Sequence, residues 1–170
     1  MKLDNYCSDC GVKFNEYIDL YPKGCKACRN VTYKNPIPVI LTVPIFNDGV
    51  LLIKRNNDPE KGKWAFPGGY IEFGETWQDA AARELYEEIN LIILDKNELD
   101  LVDIKTAKSG NLIIFSEIMI KRHIEFDDFA RAFRPNDEVS EIKLVKFIAP
   151  YMELAFPTHE DMLGKYVIYI

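Results

Sequence analysis

The sequence predicts a mixed α/β domain, with helices packed against a mixed central sheet, preceded by a small cysteine-rich module. All four cysteines fall within the first 28 of the 170 residues, and strand and helix patterns alternate irregularly from residue 37 onward. Hydrophobic residues make up 48% of the chain, which is enough to build a sizeable core. We place the boundary near Asn35, so that residues 1–34 form the module and residues 35–170 form the larger domain.

The module carries two C-x2-C pairs that are separated by fourteen residues. Four thiolates at this spacing can surround one zinc ion tetrahedrally, and such a site is structural because no coordination position stays open. Gly11 and Gly24 lie next to the two pairs and give the backbone freedom for tight turns. Two disulfides are the alternative, which fits poorly with the reduced thiols of the cytosol. The predicted zinc ligands are Cys7, Cys10, Cys25 and Cys28.

The chain is acidic, with 27 aspartates and glutamates against 21 lysines and arginines and a formal net charge of −6. This balance disfavours nucleic acid and anionic membranes as partners. The N-terminus lacks the apolar segment of a signal peptide, and no run reaches the ~18 to 20 apolar residues of a membrane span. We therefore expect a soluble cytoplasmic protein, and its oligomeric state stays open, with a homodimer as one option. A nucleic-acid-binding ribbon is a minor alternative, because the module's lysines are offset by acids, namely Asp4, Asp9, Glu16 and Asp19.

The larger domain begins with two predicted strands, PVILTVPIF and GVLLIKR, which the turn Asn47-Asp48-Gly49 joins into a hairpin. After a polar loop, WAFPGGYIEF predicts a short strand, a glycine turn and a second short strand. A helix follows from Thr76 to Ile89. Further strands are predicted in LDLVDIKTA, NLIIFSEIMIKRH and EIKLVKFIA, and a final helix runs from His159 to about Ile168.

The helix from Thr76 to Ile89 has a clear start and a clear apolar face. Thr76 and Asp79 have the spacing of a capping box, and an acid suits the positive end of the helix dipole. Every fourth residue on one side is apolar and can face the core; these residues are Trp77, Ala81, Leu85 and Ile89.

The same helix carries an unusual density of carboxylates. At ~100° per residue, Glu84, Glu87 and Glu88 fall within an arc of about 100°. Like charges at these spacings cost a few tenths of a kcal/mol each, and Arg83 is the only cation between Trp77 and Leu91. A solvated acidic face is one explanation. The other is a site for a hard cation such as Mg²⁺ or Mn²⁺, which prefers oxygen ligands and would relieve the repulsion.

The segment from Gly69 to Leu91 reads G-x5-E-x7-R-E-L-x-E-E-x-N-L and resembles the Nudix box, the signature of the Nudix hydrolases. Every defined position agrees except the last glycine, which is Asn90 here. Asparagine is the second-best residue where a helix ends at positive φ, so we expect little cost. With the flanking KGKWAFPGG and SEIKLVKF, the resemblance covers about Ile37 to Ile148. It implies an α/β/α sandwich with a mixed central sheet.

The resemblance also implies a chemistry and the residues that carry it. Nudix hydrolases use Mg²⁺ or Mn²⁺ to cleave the pyrophosphate of a nucleoside diphosphate linked to another moiety. The implied metal ligands are Glu84, Glu87, Glu88 and the Gly69 carbonyl, with Arg83 orienting the glutamates and Glu75 supporting Arg83.

Some relatives use a further glutamate from a later loop as base or ligand. Glu138 is our candidate and Glu141 the second, and the alternative is that both are ordinary loop acids. The two histidines, His123 and His159, we interpret as structural or surface residues.

Two further segments narrow the range of expected substrates. TYKNPIPV and LAFPTHEDMLGKY resemble a group of ribbon-bearing Nudix hydrolases, some of which act on FAD and ADP-ribose. The NADH pyrophosphatase group is less similar, because its SQPWPFP-type motif is absent from the sequence. Hydrolysis of NADH, nucleoside triphosphates or RNA caps is the enzymatic alternative, and a nucleotide sensor with a nucleic-acid-binding ribbon is the non-enzymatic one. Trp64, Phe66 and Phe115 are candidates to stack on a base, although such aromatic residues more often belong to the core.

Overall fold

The computed structural model describes residues 5–14, 20–121 and 124–170. The chain divides into two compact units, Met1–Pro36 and Ile37–Ile170. Among the residues discussed above, Asp4, Glu16, Asp19 and His123 lie outside the described ranges. Within those ranges, the helices are too short or too polar to cross a membrane.

The N-terminal unit contains two short antiparallel strands, β1 (Lys23–Gly24) and β2 (Val31–Thr32). The second C-x2-C pair lies in the turn that connects them. Such short strands bury little apolar surface, so the cysteine cluster described below is the main feature that can hold this unit together.

The second unit contains nine strands and three helices in its described residues. In chain order they are β3 (Pro38–Phe46), β4 (Gly49–Arg55), β5 (Trp64–Ala65), β6 (Gly68–Tyr70), α1 (Trp77–Ile89), β7 (Asp100–Thr106), β8 (Leu112–Met119), α2 (Phe126–Ala132), β9 (Val139–Lys146), β10 (Ile148–Ala149), α3 (Pro157–Leu163) and β11 (Ile168–Tyr169).

Strand β3 lies at the centre of a seven-stranded mixed sheet with the order β5-β4-β3-β8-β7. It pairs in parallel with β8 along its length and in antiparallel fashion with β4 at its end and β6 at its start. Strand β9 runs antiparallel to β4. Gly68 and Gly69 were predicted to form a turn, but they begin strand β6 and pair with Leu41 and Ile40 of β3, which holds them in the sheet shortly before α1 begins.

Alternate residues of the central strands enter two separate cores. Ile40, Leu51 and Ile53 pack under Ala81 and Leu85 of α1, on one face of the sheet. On the opposite face, Leu41, Val43 and Leu52 pack under α3 through Met162 and Leu163. The period of two along each strand therefore separates the two layers. This arrangement confirms the predicted α/β/α sandwich with a mixed central sheet.

Two helices differ from the sequence prediction. Helix α3 begins at Pro157, where the fixed φ of proline suits the first turn, and ends at Leu163. The prediction extended it to about Ile168, but Ile168 and Tyr169 form β11, which pairs in parallel with β10. Helix α2 was not predicted. It spans only seven residues and depends on tertiary contacts, since Phe126 and Phe129 pack on the ring of Phe46.

Candidate active site

Helix α1 carries the acidic residues and is fixed at both ends. Thr76 and Asp79 form a complete capping box, as predicted. At the other end Asn90 adopts the left-handed conformation, with φ 56° and ψ 31°, and its N–H donates to the carbonyls of Leu85 and Tyr86. The substitution of the expected glycine by asparagine is therefore accommodated in the way the sequence suggested.

Two glycines at the start of strand β6 bring this strand against α1. A Cβ on Gly68 would lie 2.1 Å from the carbonyl oxygen of Ile40, and the φ of Gly68 is +140°. A Cβ on Gly69 would lie 2.4 Å from Oε1 of Glu84. The Gly68 N–H donates to Oε2 of Glu88 over 2.8 Å. Glu84 and Glu88 thus lie directly against the backbone of these glycines, where a Cβ would clash with Glu84 at Gly69 and with strand β3 at Gly68.

Three carboxylates converge at this point, and one of them comes from a different part of the chain. Oxygen atoms of Glu84, Glu88 and Glu138 all lie within 4.8 Å of one another. Glu84 and Glu88 are 8% and 5% exposed, whereas Glu138 is exposed on the turn that leads into β9. Burying a carboxylate is costly unless its charge is compensated. Arg83 pairs with Glu84 but is shared with Glu75 and Glu87, so a further cation would stabilise the cluster.

The electrostatics of the cluster reflect this crowding. Burial raises the pKa of Glu88 well above its ordinary value, against the opposing effect of the Gly68 N–H, and the charges of Glu84 and Glu138 raise it further. Burial also raises the pKa of Glu84, against the opposing effect of Arg83. A divalent cation would reverse both effects by stabilising the ionised forms. An all-oxygen donor set of this kind fits Mg²⁺ or Mn²⁺.

Arg83 connects the cluster to the other acids of the helix. Its Nε donates to Glu75 over 2.8 Å, and its Nη1 donates to Glu84 over 2.7 Å and to Glu87 over 3.2 Å. Its Nη2 donates to the carbonyl of Tyr70 over 3.0 Å. The hydrogen bonds from Arg83 lower the pKa of Glu75. Glu87 has a side chain that is 54% exposed and lies outside the three-carboxylate cluster.

Two residues near the cluster were not singled out from the sequence. Asn136 bonds both to the end of α1 and to the turn that carries Glu138. Arg55, at the end of β4, is held by the Pro59 carbonyl and Asn57, and its charge acts on Glu88. The sequence signal for each was weak, because a polar residue at a strand end or in a turn is common.

The three aromatic candidates for base stacking have different environments. Phe115 is 0% exposed and its ring contacts His159, so it belongs to the core. Phe66 is 1% exposed and its ring stacks on His159, so it belongs to the core. Trp64 is partly exposed, and the ammonium groups of Lys54 and Lys143 lie 5.5 and 5.6 Å from its ring centroid. Lys54 also pairs with Glu141 at 3.0 Å.

His159 is a buried structural residue. Its Nδ1 accepts a hydrogen bond from the Phe66 N–H over 3.0 Å, and burial lowers its pKa to about 3. It therefore stays neutral, in agreement with a structural rather than a catalytic role.

The four cysteines of the N-terminal unit also converge. One Sγ atom from each of the four lies within 4.8 Å of the others. The two C-x2-C turns have equivalent backbones: the Gly11 N–H donates to the Cys7 carbonyl, and the Arg29 N–H donates to the Cys25 carbonyl. Both donors have positive φ, whereas Gly24 does not. Backbone amides of Cys10 and Asp9 lower the pKa of Cys7 to about 6, and the Cys28 backbone lowers that of Cys25. Burial and the neighbouring sulfur atoms raise the pKa values of Cys10 and Cys28.

Comparison with known proteins identifies related sequences and folds. Residues 36–163 match the family described as the NUDIX domain. A 60-residue segment is 43% identical to an ADP-ribose pyrophosphatase of Methanocaldococcus jannaschii and covers 35% of this chain and 36% of that protein. An 86-residue segment is 33% identical to an NAD-capped RNA hydrolase NudC of Edwardsiella ictaluri and covers 51% of this chain and 33% of that protein. The chain thus spans about a third of the length of these curated relatives.

Solved structures share the fold at low sequence identity. A NUDIX hydrolase from Nitrosomonas europaea superposes with a TM-score of 0.61 and 24% identity, covering 95% of this chain and 89% of that one. The NUDIX domain of Shewanella oneidensis NrtR, complexed with ADP ribose, gives a TM-score of 0.56 and 18% identity, covering 78% of this chain and 87% of that one.

Proposed function

The chain belongs to the Nudix family, and from this premise we propose that it hydrolyses the pyrophosphate bond of a nucleoside diphosphate linked to another moiety. The proposal rests on the convergence of Glu84, Glu88 and Glu138 to within 4.8 Å of one another. The cluster lies beside the two glycines that begin strand β6. The buried Glu84 and Glu88 and the exposed Glu138 repel one another, and the Arg83 guanidinium that pairs with Glu84 is shared with Glu75 and Glu87. Such a cluster suits a site completed by a cation and a polyphosphate.

Glu84, Glu88 and Glu138 would hold Mg²⁺ or Mn²⁺, with the Gly69 carbonyl as a further proposed ligand. Such a cation supplies a Lewis acid for the phosphate oxygens and lowers the pKa of a bound water. The Gly68 N–H fixes the orientation of Glu88, and Arg83 fixes that of Glu84. The carboxylates are thereby positioned before any substrate arrives.

The remaining charged residues have separate proposed roles. Glu75 and the Tyr70 carbonyl hold the Arg83 guanidinium in place. Glu75 therefore acts by positioning Arg83. Glu87 stays a proposed metal ligand; because its carboxylate is exposed, it would serve a cation that arrives with the substrate. Arg55 offers a positive charge close to Glu88 and is suited to a substrate phosphate.

For the substrate we propose ADP-ribose or FAD. The similarity to an ADP-ribose pyrophosphatase over 60 residues supports this choice. A second candidate is an NAD-type group, free or at the end of an RNA, which the similarity to NudC over 86 residues favours. The partly exposed ring of Trp64 between two lysines is our candidate contact for the base or phosphate of either substrate. A nucleotide sensor without activity is the non-enzymatic alternative.

The substrate is tested by incubating the protein with ADP-ribose, FAD, NADH, NAD-capped RNA and nucleoside triphosphates, each with Mg²⁺ or Mn²⁺. Products are identified by mass. We expect AMP together with ribose 5-phosphate or FMN from the favoured substrates. Preference for NADH or NAD-capped RNA would select the second candidate, and binding of ADP-ribose without any turnover would select the sensor.

The metal assignment is tested with Glu88→Gln and Glu87→Gln, which remove a charge with little change of volume. We expect each substitution to lower kcat by a factor of about 10² or more, because each carboxylate would serve a metal in the transition state. Mn²⁺ affinity without substrate should fall strongly only in Glu88→Gln, since Glu87 lies outside the cluster. Wild-type turnover in Glu88→Gln would disprove the assignment.

For the N-terminal unit we propose one structural Zn²⁺ bound by Cys7, Cys10, Cys25 and Cys28. The support is the spacing of the two pairs and the convergence of their sulfur atoms. Elemental analysis of reduced protein should give one zinc per chain, and Cys10→Ser should lose it. Absence of zinc from the freshly purified reduced protein would contradict the proposal.

A further inference from the structure

We propose that Asn136 is a positioning residue that sets the separation between Glu138 and the two carboxylates of α1, Glu84 and Glu88. The inference rests on the proposed cation site and concerns how that site is assembled. Its basis is a set of hydrogen bonds from one side chain to two distant parts of the chain.

One half of this set caps helix α1. The Nδ2 of Asn136 donates to the carbonyls of Glu87 and Glu88 over 3.2 and 3.1 Å. The last four carbonyls of a helix have no partner within the helix, and the Asn90 N–H bonds earlier ones, those of Leu85 and Tyr86. Asn136 therefore supplies a C-terminal cap from 48 residues away.

The other half holds the turn that presents Glu138. The Oδ1 of Asn136 accepts from the N–H groups of Glu138 and Val139 over 2.9 and 2.8 Å. The backbone is fixed on the sheet side as well, because the Asn56 N–H donates to the Glu138 carbonyl over 2.7 Å and the Asn56 side chain donates to the Asn136 carbonyl over 2.8 Å. Glu138 is thus tied to β4 and to α1.

These bonds act against a specific force. Glu138 is exposed on its turn, and without a cation its charge is repelled by Glu84 and Glu88. An unrestrained turn would move away and leave two ligands in place of three. By using its amide nitrogen for the helix and its amide oxygen for the turn, Asn136 keeps the third ligand within reach, and the cation does not have to order the turn itself.

The two halves can be separated by substitution. Asn136→Ser keeps a short hydroxyl acceptor for the turn but does not reach the helix carbonyls, and it adds no charge. We expect it to weaken Mn²⁺ binding by about tenfold, the effect of losing one or two ordinary hydrogen bonds. We expect kcat at limiting Mn²⁺ to fall in parallel and KM for the substrate to change little. Asn97→Ser is the matched control, because the Asn97 side chain donates locally to Asp95, two residues away.

A double-mutant cycle with Glu138→Gln separates positioning from a general loss of stability. If Asn136 acts through Glu138, Asn136→Ser should not weaken Mn²⁺ binding further in the Glu138→Gln background. If Asn136→Ser lowers Mn²⁺ affinity equally in the parent and in the Glu138→Gln variant, the inference is overturned. It is also overturned if Asn136→Ser binds Mn²⁺ as tightly as the parent while Glu88→Gln no longer binds it. If the parent protein binds neither Mn²⁺ nor Mg²⁺, both the proposed cation site and this inference are overturned.

Discussion

Replacing Gly69 by alanine should disable the proposed cation site while leaving the fold in place. The Cβ would lie 2.4 Å from Oε1 of Glu84, 2.8 Å from its Cδ and 2.9 Å from its Oε2. The φ of Gly69 is outside the left-handed region, so the backbone accepts alanine without strain. The nearest atoms are the end of a flexible side chain, and the Glu84 carboxylate must retreat by about 1 Å to reach ordinary van der Waals separation.

A shift of this size is large for a metal ligand and small for the fold. Metal–oxygen distances tolerate about 0.2 Å, and a misplacement of about 1 Å in a reacting site costs up to ~10² in rate. The fold loses mainly the bond from Arg83 to Glu84, roughly 1.5 to 3 kcal/mol for a partly buried charged pair. This corresponds to a decrease in Tm of about 3 to 12 °C for a chain of this size.

The assay measures kcat/KM, Mn²⁺ affinity by calorimetry and Tm for three variants. Gly164→Ala is the control, since its nearest atoms would lie 3.5 Å away, and it should resemble the parent. Gly68→Ala should fail to fold, because its Cβ would lie 2.1 Å from backbone at a φ of +140°. If Gly69→Ala keeps the parent's Mn²⁺ affinity and turnover, the close approach of the Gly69 backbone to Glu84 has no part in metal binding.

Three further outcomes follow from particular contacts. Because burial raises the folded-state pKa of Glu88, this carboxyl group binds more protons in the metal-free folded protein than in the unfolded chain above about pH 4.3, so its contribution to stability falls as pH rises. Urea unfolding should therefore show Glu88→Gln gaining stability relative to the parent as pH rises above the ordinary glutamate pKa of about 4.3, and a constant difference would argue against the raised pKa. Asn90→Ala should cost about 1 kcal/mol and Asn90→Gly should gain a few tenths, measured by the same unfolding curves, whereas equal stability would mean the left-handed cap contributes nothing. His159→Phe should cost about 1 to 3 kcal/mol, because the Phe66 N–H loses its acceptor, and thermal unfolding within 1 °C of the parent would contradict this.

Features that depend on neighbouring residues could be predicted from the sequence. The limits of α1, its capping box, its apolar face and the left-handed Asn90 all follow from helix geometry within a few turns. The convergence of the four cysteines was also predicted, because each C-x2-C pair is closely spaced and the two pairs are only fourteen residues apart. Strands β3 and β4 and the turn that joins them were also predicted, because apolar runs of strand length flank Asn47-Asp48-Gly49.

Other features were missed because they depend on long-range packing. Helix α2 has too few residues to be stable alone, and the aromatic contacts with Phe46 that hold it join positions about 80 residues apart. The end of α3 was placed too late, because Ile168 and Tyr169 gain more from pairing with β10 than from continuing the helix. Local propensity carries no information about such partners.

The sequence by itself determined that acidic side chains would crowd one face of α1, since residues three and four apart in a helix are neighbours. Only the tertiary structure decided which of them meet. The two glycines of strand β6, which pairs with β3, pack against Glu84 and Glu88, while the Glu87 side chain is exposed to solvent. Glu138 joins them because β9 pairs with β4 and Asn136 ties its turn to α1. The physical reason is that a helix sets distances within a few residues, whereas bringing together carboxylates fifty positions apart requires the completed sheet to overcome both chain entropy and charge repulsion.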